Sequence, residues 1–90
     1  MYIVKLTERA EEDLLLLEKS EPKSFNKAEK LLNELIEYPT TGTGKPEQLK
    51  FQNYNIWSRR ITKKHRLVYS VENRCVTVLV LSAYGHYKDK

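Results

Sequence analysis

The chain has little cysteine, little histidine and no long apolar run. One cysteine, Cys75, stands among 90 residues, so an internal disulfide is excluded. It lies in an apolar, strand-like stretch, where a free cysteine is expected as a small buried hydrophobe rather than a reactive thiol. Two histidines, His65 and His86, have no cysteine or carboxylate cluster near them in sequence, so no metal site is expected. No apolar run approaches the roughly 20 residues needed to cross a bilayer. The amino terminus, Met1-Tyr2-Ile3-Val4-Lys5, carries no apolar segment of the signal-peptide kind. Repeats and low-complexity tracts are absent. A cytoplasmic protein without a membrane partner is the expectation. Hydrophobic residues make up 40%, too many for a disordered chain, and the length suits one domain over residues 1–90.

Acidic residues are scarce in the second half. Residues 1–44 hold six Lys/Arg against nine Asp/Glu; residues 45–90 hold ten against three. The net charge of +4 therefore hides a basic half, interleaved with tyrosines and a tryptophan. Such a half suits a polyanion, because phosphate contacts dominate nucleic-acid affinity, although a solvated basic face has the same composition.

Tyr2 to Leu6 alternates and reads as a strand. Thr7 is placed as an N-cap, and a helix from Glu8 to Lys19 follows, with Ala10, Leu14 and Leu17 on its apolar face, widened by Leu15 and Leu16. Ser20-Glu21-Pro22 ends it and starts a second helix, which is expected to reach Glu37 with Phe25, Ala28, Leu32 and Leu35 on one stripe. So short a connection makes an antiparallel hairpin. The breakers gather in Pro39-Thr40-Thr41-Gly42-Thr43-Gly44-Lys45-Pro46, which reads as a loop. Beyond it the period changes to two. Strands are expected over 55–61, 65–71 and 75–82, with turns at 62–64 and 72–74. The predicted fold is α+β, β-α-α-β-β-β. It is a helical hairpin on one face of a mainly antiparallel, four-stranded, twisted sheet.

Alternation puts Ile56, Ser58 and Arg60 on one side of their strand and Trp57, Arg59 and Ile61 on the other. On the next strand Leu67, Tyr69 and Val71 form the apolar side, so Arg66 faces away from the helices. If Arg60 shares that face, two guanidinium groups lie on adjacent strands, and guanidinium forks grip phosphate oxygens bidentately. Glu47 follows a proline, a place where a glutamate is ordinarily a solvated loop residue. Lys45 and Lys50 flank it, and few other acids lie downstream. His86 sits near the carboxyl end among Tyr84 and Tyr87; the histidine side chain titrates near neutrality and suits a general acid. His65 reads as structural.

These residues, in this order, resemble the YoeB/Txe toxins of the RelE/ParE superfamily. The resemblance rests on Gly44-Lys45-Pro46-Glu47-Gln48-Leu49-Lys50, on Trp57-Ser58-Arg59-Arg60-Ile61-Thr62, on His65-Arg66-Leu67-Val68-Tyr69 and on His86-Tyr87. It covers essentially the whole chain. It implies an endoribonuclease that enters the ribosomal A site and cleaves translated mRNA without a metal or other cofactor. It implies Glu47, Arg66 and His86 as the catalytic groups, and Lys50, Arg60 and Tyr87, with Arg59, at the phosphate. It also implies a co-expressed antitoxin of the YefM/Axe kind that covers the site, and a possible homodimer. Two other readings carry the same scaffold or charge: a non-catalytic, ParE-like inhibitor of DNA gyrase, and a basic RNA- or protein-binding module. The chain departs from many such toxins in continuing with Lys88-Asp89-Lys90 and in having Gly85 before His86.

Overall fold

The computed structural model describes residues 1–51 and 54–85, with the backbone alone for Phe51 and Tyr54. In chain order the elements are β1 (Ile3–Leu6), α1 (Glu8–Ser20), α2 (Pro22–Leu35), β2 (Glu47–Phe51), β3 (Tyr54–Arg60), β4 (Arg66–Glu72) and β5 (Thr77–Ser82). The strands form one sheet in the order β1-β5-β4-β3-β2. β1 runs parallel to β5, and every other neighbouring pair is antiparallel. The α+β architecture is as expected, with five strands in place of four. The added strand is β2, and Glu47 begins it rather than sitting in a loop. Its sequence, EQLKF, is too polar to announce a strand, and it lies at the sheet edge, where charged side chains are tolerated and discourage pairing with other chains.

Thr7 caps α1, its hydroxyl oxygen accepting from the Ala10 N–H at 3.1 Å. Such a cap satisfies one of the donors left open at a helix start and is worth about 1 kcal/mol. Glu8 and Glu11 in the first turn and Lys19 in the last complement the helix dipole. Glu21 joins the two helices: its N–H closes α1 on the Leu17 carbonyl, and its own carbonyl accepts from Phe25. Pro22 then opens α2 at a position that needs no amide hydrogen.

Ala10, Leu14 and Leu17 of α1 and Ala28, Leu31 and Leu35 of α2 form one buried cluster with Leu67, Tyr69, Val71, Val78 and Val80 of the sheet. Leu67, Tyr69 and Val71 thus face the helices as expected. Leu15 and Leu16 do not widen the buried face of α1; they are 58% and 45% exposed. On α2 the fully buried leucines are Leu31 and Leu35, while Leu32 and Phe25 only flank the cluster. α2 stops at Leu35 rather than Glu37, and the Tyr38 N–H folds back onto the Glu34 carbonyl.

The turn between β4 and β5 spans Asn73 to Val76, starting one residue and ending two residues later than expected, so Cys75 is in the turn and exposed. The expectation of a buried Cys75 fails because β5 starts only at Thr77, after Val76 takes a positive φ of 49° to close the turn. Among the described residues no helix is long and apolar enough to cross a membrane.

Candidate active site

Directly opposed residues on neighbouring strands point to the same side of a sheet. Glu47 of β2 opposes Ser58 of β3, Ser58 opposes Val68 of β4, and Arg60 opposes Arg66. Trp57 of β3 and Ile61 just beyond it, which alternate with these, belong to the helix side. Glu47, Ser58, Arg60 and Arg66 therefore share the face turned away from the helices, as the alternation indicates for Arg66 and the register settles for Arg60.

The Glu47 carboxylate (Oε1) lies 3.9 Å from Arg66 Nη1, with side chains 66% and 22% exposed. That separation is an ion-pair contact without a hydrogen bond. Exposed pairs of this kind add about 0–1 kcal/mol, so neither group is committed to holding the fold. Arg60 is exposed, and its guanidinium makes no hydrogen bond or ion pair with the described residues.

The backbones beneath these side chains are fixed. The Arg60 N–H donates to the Gly44 carbonyl at 2.7 Å, and the Arg66 N–H donates to the Gly85 carbonyl at 3.0 Å. Gly44 has a φ of +85°, and a Cβ there would meet the Arg60 carbonyl oxygen at 3.0 Å, so the close approach depends on glycine. Between the charged groups, the Ser58 hydroxyl is buried without a hydrogen-bond partner among the described residues. A carboxylate beside two guanidinium groups can take a proton from a hydroxyl while the arginines hold a neighbouring phosphate.

Arg59 points the other way. It is fully buried, so its expected place at the phosphate is corrected by its position. Its Nε donates to the Tyr69 hydroxyl at 3.0 Å. Its Nη1 donates to the Glu34 carboxylate at 2.8 Å and to the Thr43 carbonyl at 3.3 Å. Its Nη2 donates to the carbonyls of Tyr38 and Thr41. The Tyr69 hydroxyl in turn donates to the Pro39 carbonyl at 2.7 Å. Three of the five bonds from Arg59 go to the segment that leads from α2 to β2, and hence to the approach to Glu47. The signal was present in the sequence, since Arg59 alternates with Trp57 and Ile61 onto the apolar side.

The electrostatics agree. Hydrogen bonds from Thr43, followed by those from Arg59, hold the Glu34 carboxyl below the usual glutamate range. Burial raises the Tyr69 phenol above its ordinary value, opposed in part by Arg59.

Lys50 opposes Asn55, so alternation puts it on the helix side of the edge strand, away from Glu47 and the exposed arginines. His86 and Tyr87 lie outside the described residues. His65 is buried, as its structural reading requires. Among the described residues no three His, Cys, Asp or Glu side chains come together in a metal-binding group.

The family model for the YoeB-like toxin of bacterial type II toxin–antitoxin systems matches residues 6–87. Toxin YoeB of Mycobacterium bovis is 37% identical over 87 residues, covering 97% of this chain and 100% of the relative. The solved YoeB/ParE toxin from Agrobacterium tumefaciens superposes with a TM-score of 0.85 at 30% identity, covering 94% of this chain and 99% of that one. Two Staphylococcus aureus structures are also similar, each 31% identical. One is a YoeB dimer, with a TM-score of 0.81 and coverage of 96% and 98%. The other is a heterotetrameric YoeB–YefM toxin–antitoxin complex, with a TM-score of 0.76 and coverage of 97% and 99%.

Proposed function

The chain belongs to the YoeB family of type II toxin–antitoxin toxins, and from that membership we propose that it is a ribosome-dependent endoribonuclease that cleaves mRNA in the A site. The observation that carries the reading is the Glu47 carboxylate 3.9 Å from Arg66 on the open face, with Arg60 abreast. Glu47 removes the proton of an mRNA 2′-hydroxyl. The freed oxygen attacks the adjacent phosphorus. Arg66 and Arg60 hold the phosphate oxygens as charge builds on them. His86, protonated, gives its proton to the departing 5′-oxygen; its part rests on the family resemblance of the terminal His-Tyr pair. The products are a 2′,3′-cyclic phosphate and a 5′-hydroxyl end. DNA lacks the nucleophile and is not cut. No step uses a metal held by the chain.

Of the remaining phosphate residues, Tyr87 keeps an orienting role on the same resemblance. Lys50 approaches the substrate only around the β2 edge. An antitoxin of the YefM kind is the proposed partner, covering the open face until it is degraded, and a homodimer is the proposed free form. The site of action is the cytoplasm, and the 90 residues act as one domain.

The test is cleavage of a defined mRNA on purified ribosomes, with the chemistry of the new ends determined. Cleavage with 5′-hydroxyl ends, slowed about 10²–10⁴-fold by Glu47→Gln, is expected. Intact mRNA together with inhibited DNA supercoiling would overturn the reading.

A further inference from the structure

His65 lies just before β4, is 2% exposed, and has both ring nitrogens engaged. Nδ1 is 2.9 Å from the Gly85 amide, which donates to it. Nε2 is 2.9 Å from Glu21 Oε2. A backbone N–H only donates, so Nδ1 is an unprotonated acceptor and Nε2 carries the hydrogen that Glu21 receives. The bond to His65 is the first cause that holds the Glu21 carboxyl below the usual glutamate range, followed by the Ser24 hydroxyl and the nearby Lys64. The Tyr84 ring lies against the imidazole with centroids 4.4 Å apart. Gly85 is tied a second time, its carbonyl accepting from the Arg66 N–H at 3.0 Å. Its φ of +85° suits glycine, and an added Cβ would meet none of the described residues within 4 Å, so the backbone conformation favours glycine there.

The residue after Gly85 is His86. Where Gly85 is held, the backbone atom to which His86 is bonded is held too. We propose that His65 is a positioning residue for the terminal histidine: anchored through Glu21 to the joint between the helices, it fixes Gly85 through Nδ1. This rests on the proposed role of His86. It places the Arg66 backbone and the origin of the His86 segment on one shared pair of hydrogen bonds. A group displaced by about 1 Å can cost on the order of 10²-fold in rate even when the substitution is remote from the chemistry. His65 does not itself transfer a proton, because both nitrogens are occupied and the ring is sealed from solvent.

Two substitutions separate the two bonds. An asparagine oxygen is attached at Cγ, as Nδ1 is in histidine, so His65→Asn keeps an acceptor for Gly85 and loses Glu21. A glutamine amide is one bond further out, as Nε2 is, so His65→Gln keeps the donor to Glu21 and loses Gly85. Single-turnover cleavage on ribosomes should fall about 10–100-fold in His65→Gln with KM within about twofold, and stay within about threefold in His65→Asn. Equal rates in His65→Gln and wild type, or equal losses in both folded variants, would overturn the proposal.

Two readouts do not depend on cleavage and so separate this inference from the functional reading. In wild type, imidazole nitrogen shifts should show Nε2 protonated and Nδ1 free; the opposite tautomer overturns the proposal even if neither variant folds. Exchange of the Gly85 amide with solvent should quicken about tenfold or more in His65→Gln and not in His65→Asn.

Discussion

Replacing Arg59 should nearly unfold the protein, whereas replacing its neighbour Arg60 should not affect stability. Arg59→Met keeps an unbranched apolar stem of similar reach and removes the fork. Five hydrogen bonds go with it, to Tyr69, Glu34, Thr43, Tyr38 and Thr41. Breaking a buried ion pair by removing one partner costs about 3–5 kcal/mol. Glu34 is 32% exposed on its side chain and regains water, which favours the lower end of that range. The Tyr38, Thr41 and Thr43 carbonyls lie in a surface segment, where water reaches them once the loop opens, so each adds less than the ~1–3 kcal/mol of a sealed acceptor. The net loss is about 3–4 kcal/mol, a large part of the roughly 5–15 kcal/mol that holds a domain together. At about 4–8 °C per kcal/mol for a chain of this length, the melting temperature should fall by roughly 12–30 °C. Arg59→Lys keeps the charge and not the fork, and should recover only about 1 kcal/mol of the loss. Arg60→Gln should stay within about 0.5 kcal/mol of wild type. Thermal unfolding followed by circular dichroism measures all three. An Arg59→Met protein melting within about 4 °C of wild type, or an Arg60→Gln protein equally damaged, would refute the assignment of the two arginines.

Three further outcomes are expected. Glu34 and Glu21 are both held below the usual glutamate range, so the stability they supply is present above about pH 4.3 and is lost as pH falls through their lowered folded values. Urea unfolding at stepped pH should show that acid slope, and Glu34→Gln should flatten it; an unchanged slope contradicts the network. Arg66→Lys should keep the fold, since its ion pair with Glu47 is weak, yet slow mRNA cleavage about 10²–10³-fold, because a single ammonium does not replace the two parallel donors. Cys75 should react with a maleimide in the folded protein without denaturant, and the labelled protein should cleave mRNA as before; protection until unfolding would mean that the β4–β5 turn is misplaced.

The sequence was most informative where apolar spacing was regular. Ala10, Leu14 and Leu17 gave the buried face of α1, and Leu67, Tyr69 and Val71 the helix side of β4. It was silent on β2, because an edge strand needs no apolar alternation and EQLKF shows little. It misjudged Cys75 because the run from Cys75 to Leu81 is apolar except for Thr77, and apolarity does not say where a turn ends and a strand begins. In the site, period two put Arg66 on the face away from the helices, but that Arg60 shares this face is decided by the β3–β4 register. The work of Arg59 was not, because its partners Glu34, Tyr38, Thr41 and Thr43 are 16 to 25 positions away and meet it only after α2 and β3 have packed.

Two adjacent pairs in the chain divide labour in the same way. In Arg59-Arg60 the first side chain is buried and spent on backbone carbonyls and Glu34, while the second is exposed beside the proposed scissile phosphate. In His65-Arg66 the first is buried between Glu21 and Gly85, while the second reaches Glu47. A strand sends successive residues to opposite faces, so a charged or ionisable pair at the end of a strand divides into one strut and one exposed contact. The struts hold what the contacts work with: Arg59 fixes the segment that delivers Glu47, and His65 fixes the residue that precedes His86. The proposed general base, and the residue that precedes the proposed general acid, thus depend on the helix side of the sheet, through groups that face away from the open face. Damage to either strut should reduce cleavage without altering any residue on the open face.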